Sequence, residues 1–204
     1  MKTLTQLSLG IFLTCSMLAC NNNNGRTADD SVEQAQDVND TTATVKMEDS
    51  EFAVKAADAS LAEVQLGKLA LERTTDQRIK DYAQLMIDDH NKANDELMTI
   101  AANKNITLPP VPSEDHAANM RDLQQKSGTD FDQAYLDRMV RDHNNAVSLF
   151  EDASKGTADP DLKNFAAKAL PTLQMHHEKA KELRDSLDTG ENVPALTPDT
   201  KIVP

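Results

Sequence analysis

The spacing of apolar residues limits the folds open to this chain more than any other feature, because they recur every three or four positions through four long stretches. Side chains spaced in this way lie on one face of an α-helix, whereas a half-buried strand needs strict alternation. The apolar residues are mainly Ala, Leu, Val and Met, aromatic residues make up only 3%, and this composition also favours helix over sheet. We predict four long helices. The first covers residues 48–73, the second runs from the turn at 74–76 to residue 103, and the last two cover 130–155 and 160–188.

Helix-breaking residues separate the stretches. Three prolines in residues 108–112 must end the second helix, and Ser113 suits the start of a short helix that ends before Gly128. Pro160 suits the first turn of the last helix, and we expect Pro171 to kink that helix near its middle. The connections therefore predict an all-α, antiparallel four-helix bundle over residues 47–188, with an extra short helix in the second-to-third connection.

The chain begins like a bacterial secretory leader. Lys2 precedes an apolar run over residues 7–13, and the small Ala19 stands directly before Cys20. We expect a lipoprotein signal peptide over residues 1–19 and lipidation of Cys20; the alternative is a lone cysteine in an ordinary cleaved leader. The polar residues that follow predict a disordered tether, so residues 20–46 comprise the lipidated cysteine and this tether. The proline-containing residues 189–204 predict a disordered tail.

Charge and cysteine content narrow the partners and the location. The chain has 34 acidic and 21 basic residues, a formal net charge of −13, so nucleic acid is a poor partner. Both cysteines, Cys15 and Cys20, lie in the leader region, so we expect no disulfide in the domain. The predicted location is the bacterial cell envelope, with a lipid anchor in a membrane, most simply the outer membrane facing the periplasm or the surface.

A polar residue interrupts the apolar stripe of each long helix near its middle. The first helix has Glu63 there, and the other three have His90, His143 and His176; we call these four side chains the polar layer. In an antiparallel pair, Glu63 and His90 differ by about four residues in distance from their shared turn, roughly 6 Å along the axis. His143 and His176 show a similar relation across their own turn, so the four side chains could meet.

Two interpretations of the polar layer are open. Three imidazoles and one carboxylate suit a single divalent metal ion such as zinc or iron. Alternatively, neighbouring hydroxyl, amide or carboxylate groups satisfy the histidines, and the layer is purely structural. Asp89 and Asp142 each precede a histidine and are either its outer hydrogen-bond partners or solvated acids, and His177 competes with His176 for the inward position.

The sequence assigns no catalysis. Di-metal carboxylate enzymes on four-helix bundles use a Glu-x-x-His pair on each of two helices. Here Ile87, Val140 and Leu173 stand three residues before the histidines, so a di-metal oxidase is the least favoured hypothesis. There is no Gly-x-Ser-x-Gly sequence and no glycine-rich phosphate loop. The leading hypothesis is a metal-binding envelope bundle, and the second is a structural or protein-interaction lipoprotein whose envelope partner is unknown.

Several segments together resemble a known family. They are residues 63–70 (EVQLGKLA), the Asp-His pairs at 89–90 and 142–143, residues 131–135 (FDQAY) and residues 170–176 (LPTLQMH). This combination is similar to a bacterial envelope family of unknown function whose members are often labelled putative outer-membrane proteins. The resemblance covers roughly residues 50–187. It implies a ferritin-like four-helix bundle with the polar layer at matched motif positions, and it implies no established activity.

Overall fold

The computed structural model describes residues 29–189, and this part of the chain is helical apart from short connections. It contains six helices and no strand within that range, which confirms the all-α prediction. The predicted signal peptide, Cys20 and the tail beyond residue 189 lie outside the described residues. In chain order the helices are α1 (Asp29–Thr42), α2 (Met47–Arg73), α3 (Gln77–Asn103), α4 (Glu114–Gln124), α5 (Gly128–Gly156) and α6 (Pro160–Thr189).

Local sequence signals explain several helix ends. The side chain of Asp76 accepts a hydrogen bond from the backbone N–H of Arg78 at 2.9 Å, so it caps α3 as its position predicts. Helix α5 begins at Gly128, two residues before the predicted start, and the positive φ of 55° there favours glycine. Pro171 lies inside α6, where it cannot supply the backbone N–H that would bond the carbonyl oxygen of Ala167.

Helix α1 corrects the prediction of a disordered tether over residues 20–46, because residues 29–42 are helical and contact α2. Ala35 and Asn39 are buried. The Asn39 side-chain amide donates to the carbonyl oxygen of Thr107 at 3.0 Å, and its oxygen accepts from the Thr107 N–H at 2.7 Å. The prediction relied on the scarcity of large apolar residues, whereas α1 combines packing against α2 with hydrogen bonds to the connection between α3 and α4.

The core consists of two apolar clusters with the polar layer between them. Helix α2 contacts α3 and α5, and α6 contacts the same two helices. One cluster contains Phe52, Phe150 and Phe165, whose ring centroids are 5.2 to 6.4 Å apart. The other contains Tyr82 and Tyr135. Along each of these four helices, the polar-layer residue falls between the members of the two clusters.

Gly67 marks a close approach between α2 and α3. A Cβ atom added there would lie 2.9 Å from Cγ1 of Ile87 and 3.1 Å from the carbonyl oxygen of Ala83. Only glycine therefore fits without a shift of the neighbouring helix. The two helices that carry Glu63 and His90 come together at this point.

Within residues 29–189, none of the helices has an apolar stretch of the length and hydropathy needed to cross a membrane.

Candidate metal centre

The four residues predicted to form the polar layer are brought together in the structure. Glu63 of α2, His90 of α3, His143 of α5 and His176 of α6 are all buried, with exposed fractions between 0 and 5%. Their positions on the apolar stripes direct all four side chains into the core. A buried layer of ionisable groups is costly unless each polar atom has a partner.

The three histidines form a compact triad. Their ring centroids are 5.3, 5.5 and 5.8 Å apart, and one potential ligand atom from each ring lies within 4.8 Å of those from the other two. Zinc binds imidazole nitrogens at about 2.0–2.1 Å, so two nitrogens that bind the same ion lie closer together than 4.8 Å. Small side-chain movements would therefore suffice to hold an ion.

Hydrogen bonds fix the tautomers of two triad members. The Nδ1 atom of His143 lies 3.0 Å from the carbonyl oxygen of Met139, and a carbonyl can only accept, so Nδ1 carries the proton. Likewise, Nε2 of His176 lies 2.9 Å from a carboxylate oxygen of Asp89 and must donate to it. The remaining nitrogens, Nε2 of His143 and Nδ1 of His176, are buried and have no hydrogen-bond partner.

The partner of His90 is the Ser60 hydroxyl, which can donate or accept and therefore allows either tautomer. The Ser60 hydroxyl lies 3.1 Å from Nδ1 of His90 and donates to the backbone carbonyl oxygen of the same residue at 3.4 Å. When the hydroxyl proton goes to the carbonyl oxygen, the hydroxyl oxygen accepts from Nδ1–H and Nε2 keeps a lone pair; when it goes to Nδ1, Nε2 carries the proton. That Nε2 atom lies 2.8 Å from Oε2 of Glu63, yet it makes no hydrogen bond.

Glu63 supplies a buried negative charge beside the triad. Its Oε1 atom lies 3.5 Å from Nδ1 of His143 and has no hydrogen-bond partner. Burial by itself would raise the pKa of Glu63, but charge interactions with His143 and His90 lower it to about 2. The carboxylate is therefore ionised at neutral pH.

Burial acts in the opposite direction on the histidines. It lowers the pKa of His143 to about 4, despite the nearby charge of Glu63. Burial also lowers the pKa of His176, against the raising effect of its hydrogen bond to Asp89. At neutral pH, His143 is thus an uncharged imidazole, the form that binds metal ions.

The structure separates the three candidate outer partners. Asp89 bonds to His176, as described above, and its side chain is 32% exposed. Asp142 forms an ion pair with Arg138 at 2.7 Å, one helical turn away, and among residues 29–189 it makes no hydrogen bond or ion pair with a triad histidine. His177 lies at the edge, 3.5 Å from the exposed Glu178, so His176 is the residue that faces the core.

Sequence reasoning missed three groups that hold the histidines in place. Ser60 and the Met139 carbonyl oxygen bond to His90 and His143, and the Tyr82 hydroxyl donates to the backbone carbonyl oxygen of His176 at 3.3 Å. Ser60 stands three residues before Glu63 on the same helix face, and this spacing was the available signal. Nothing in the sequence indicates which carbonyl a histidine reaches.

The layer therefore presents ligand atoms that have no other partner. Its four unpartnered buried atoms are Oε1 of Glu63, Nε2 of His90, Nε2 of His143 and Nδ1 of His176. The other nitrogen of each imidazole bonds to a hydroxyl, a carbonyl or a carboxylate. Such outer bonds orient imidazole ligands and make the free nitrogen more basic.

Comparison with known proteins identifies a family but no activity. The family model described as a domain of unknown function, DUF4142, matches residues 34–183. No curated protein and no solved structure matches the chain.

Proposed function

The chain belongs to the DUF4142 family, and because that family has no established function we propose one from the geometry of the buried site. The protein binds one divalent metal ion in its helical core, and no catalysis is assigned to it. Glu63, His90, His143 and His176 are the proposed ligands.

One observation carries this proposal. Each of the four helices contributes a buried ligand atom without a partner, while the other imidazole nitrogens are all engaged. Buried polar atoms without partners are rare in folded proteins, and four in a single layer need an explanation. A cation explains them together, because it accepts the lone pairs of the three imidazoles and balances the charge of Glu63, whose carboxylate would need to move closer to bind it as a fourth ligand.

The contact between Glu63 and His90 supports a cation more specifically. Their facing atoms are 2.8 Å apart and make no hydrogen bond, and in the tautomer with the proton on Nδ1 of His90 the Nε2 atom has a lone pair. In that tautomer the two atoms repel each other at this distance unless a cation lies near both of them. Three imidazoles and a carboxylate suit zinc or ferrous iron, the two metals that we propose.

The proposed setting is an antiparallel, ferritin-like four-helix bundle. The two apolar clusters support it, because one contains the start of α2 with the end of α3, and the other contains the end of α2 with the start of α3. Helices α5 and α6 divide between the clusters in the same alternating way. Helices that run in opposite directions produce this division.

We further propose that lipid at Cys20 anchors the protein in the cell envelope, at the outer membrane facing the periplasm or the surface. The leader-like residues 1–19 and the small Ala19 before the cysteine support this part of the proposal. The membrane is then reached through the anchor, and the acidic chain has no affinity for nucleic acid.

The alternative is a structural or protein-interaction lipoprotein whose histidine layer holds no metal. The short Glu63–His90 contact is the observation that favours it, because a proton on Nε2 of His90 would join the two side chains without a cation. This alternative leaves the free nitrogens of His143 and His176 without partners.

Elemental analysis distinguishes the two proposals. We expect the full-length protein, without an added histidine tag, to contain close to one zinc or iron ion per chain after exposure to these metals. His143→Ala should lose that ion and remain helical by circular dichroism. His177→Ala removes a neighbouring histidine outside the layer and should keep the ion.

A parent protein that stays free of metal after exposure to zinc, iron and manganese would make the layer structural. Two ions per chain would instead revive a di-metal site.

A further inference from the structure

A cavity leads from the surface to the polar layer. Its volume is about 540 Å³, it is bounded mainly by α3 and α6, and Glu63, His90 and His176 are among its lining residues. His143 does not line it and is fully buried. The layer is therefore approached from one side and closed on the other, unlike a structural metal site, which is enclosed by its ligands.

The walls of the cavity are mainly apolar. Leu97, Phe150, Phe165 and Leu173 line it, and the two phenylalanine rings lie 5.8 Å apart at a tilted angle. Apolar walls with a few convergent polar groups are typical of sites for small organic molecules, and the volume falls within the usual range of about 300–1,000 Å³. A metal ion alone would need no such space.

We propose that this cavity binds a small, mainly apolar molecule that carries one neutral hydroxyl group. The body of the molecule lies against Phe150 and Phe165, and its hydroxyl group faces His90 and His176. The inference adds an organic ligand to the proposed metal site, but it rests on the cavity and does not require the ion.

The free nitrogens explain why the polar group is a hydroxyl. Nδ1 of His176, a residue that lines the cavity, is an acceptor without a partner because its other nitrogen donates to Asp89, and a small movement of the side chains around this buried atom would open it to the cavity. A hydroxyl can donate to this acceptor when no metal is present, and its oxygen can ligate a metal ion when one is bound. The same group thus suits both states of the site.

Charges around the cavity argue against an ionised group. Four acidic and two basic residues line it, and one of the bases, Lys168, pairs with Glu96 at 3.0 Å. A carboxylate would be repelled by this acidic excess, which includes Glu63. An ammonium group would lose its hydration on entry and would be repelled by a bound metal ion.

The test uses 4-propylphenol as the probe and the isotopically labelled full-length protein, with and without zinc. We expect saturable shifts in the resonances of His176 and Phe150. Ala93→Leu adds bulk to the cavity wall and should weaken binding by at least about tenfold, as should Ala169→Leu from the opposite helix. Ala102→Leu makes the same change at an exposed position of α3 and should leave the affinity unchanged.

Three results would overturn the inference. The first is the absence of saturable shifts both with and without zinc. The second is an affinity for the phenol in Ala93→Leu and Ala169→Leu equal to that of the parent, when both variants fold as the parent does. The third is tighter binding of 4-propylbenzoate or 4-propylbenzylamine than of the phenol. The metal proposal is judged separately by elemental analysis. A protein that binds the phenol but no metal would refute the metal site alone, and one that binds metal but no phenol would refute the cavity ligand alone.

Discussion

The second nitrogen of each histidine determines what the polar layer can do. Asp89, Ser60 and the Met139 carbonyl oxygen each occupy one imidazole nitrogen and so leave the other unpartnered. Asp89 differs from the other two because it carries a full charge and holds the proton on Nε2 of His176. Among these outer partners, its side chain is the one whose removal tests the arrangement most directly.

We predict that Asp89→Asn lowers metal affinity by about 10- to 100-fold, the usual effect of losing an outer partner of a histidine ligand. The amide cannot replace the charge that makes Nδ1 of His176 basic. Affinity is measured by competition with a chelator of known strength. Asp88→Asn is the matched control, because it removes the same charge from the exposed neighbouring position. Equal losses in both variants would assign the effect to surface charge and contradict the role of Asp89.

The sequence predicted the members of the layer better than their partners. Helical spacing placed Glu63, His90 and His143 on inward faces, and the structure buries all three. The Asp-His pairs at 89–90 and 142–143 look equivalent in sequence. However, Arg138 lies one turn before Asp142 and binds it, whereas Asp89 meets a histidine from another helix. Contacts between helices depend on their rotation and offset, which one sequence does not define.

At the scale of helices, the approach of α2 to α3 at Gly67 positions Glu63 against His90. Gly67 lies four residues after Glu63, on the same face of α2. Ile87 lies three residues before His90, on the same face of α3. The contact between Gly67 and Ile87 therefore sets the distance between the helices beside the 2.8 Å contact of Glu63 with His90.

We predict that Gly67→Ala lowers the free energy of unfolding by about 1–3 kcal/mol, because the new methyl group would overlap Ile87 and approach the backbone of Ala83. Gly156→Ala, at the end of α5, has open space around the new atom. It should raise the free energy of unfolding by about 0.4–1 kcal/mol, because alanine reduces the conformational entropy of the unfolded chain. Chemical denaturation measures both values. A neutral or stabilising Gly67→Ala would show that the helices separate at little cost.

Helix α1 shows where sequence patterns fail at this scale. Residues 29–42 offer few large apolar side chains, so the periodicity that identified the other helices is weak. Its Asn39 instead bonds to the backbone of Thr107, 68 residues away. A hydrogen bond between distant segments leaves no periodic signal in either of them.

For the whole molecule, the polar layer lies at the one level where all four long helices contribute a side chain between two apolar clusters. An ion bound there would link four helices that otherwise hold an ionised Glu63 in their core. The proposed metal would therefore stabilise the entire fold and not one helix pair. The sequence could indicate this level because the distance of each polar residue from its turn, matched to within about one helical turn, is a property of the chain order.

We predict that zinc at about 100 times its dissociation constant stabilises the protein by about 2.7 kcal/mol, which corresponds to a rise in Tm of roughly 5–10 °C for a domain of this size. The rise occurs because the ion binds the four assembled ligands and has little affinity for the unfolded chain. Calorimetry of the full-length protein over a zinc titration measures it. His177→Ala should show the full rise and His143→Ala none, although both lack one histidine. If zinc, iron and manganese all left the Tm of the parent protein unchanged, a proton between Glu63 and His90 would instead hold the layer together.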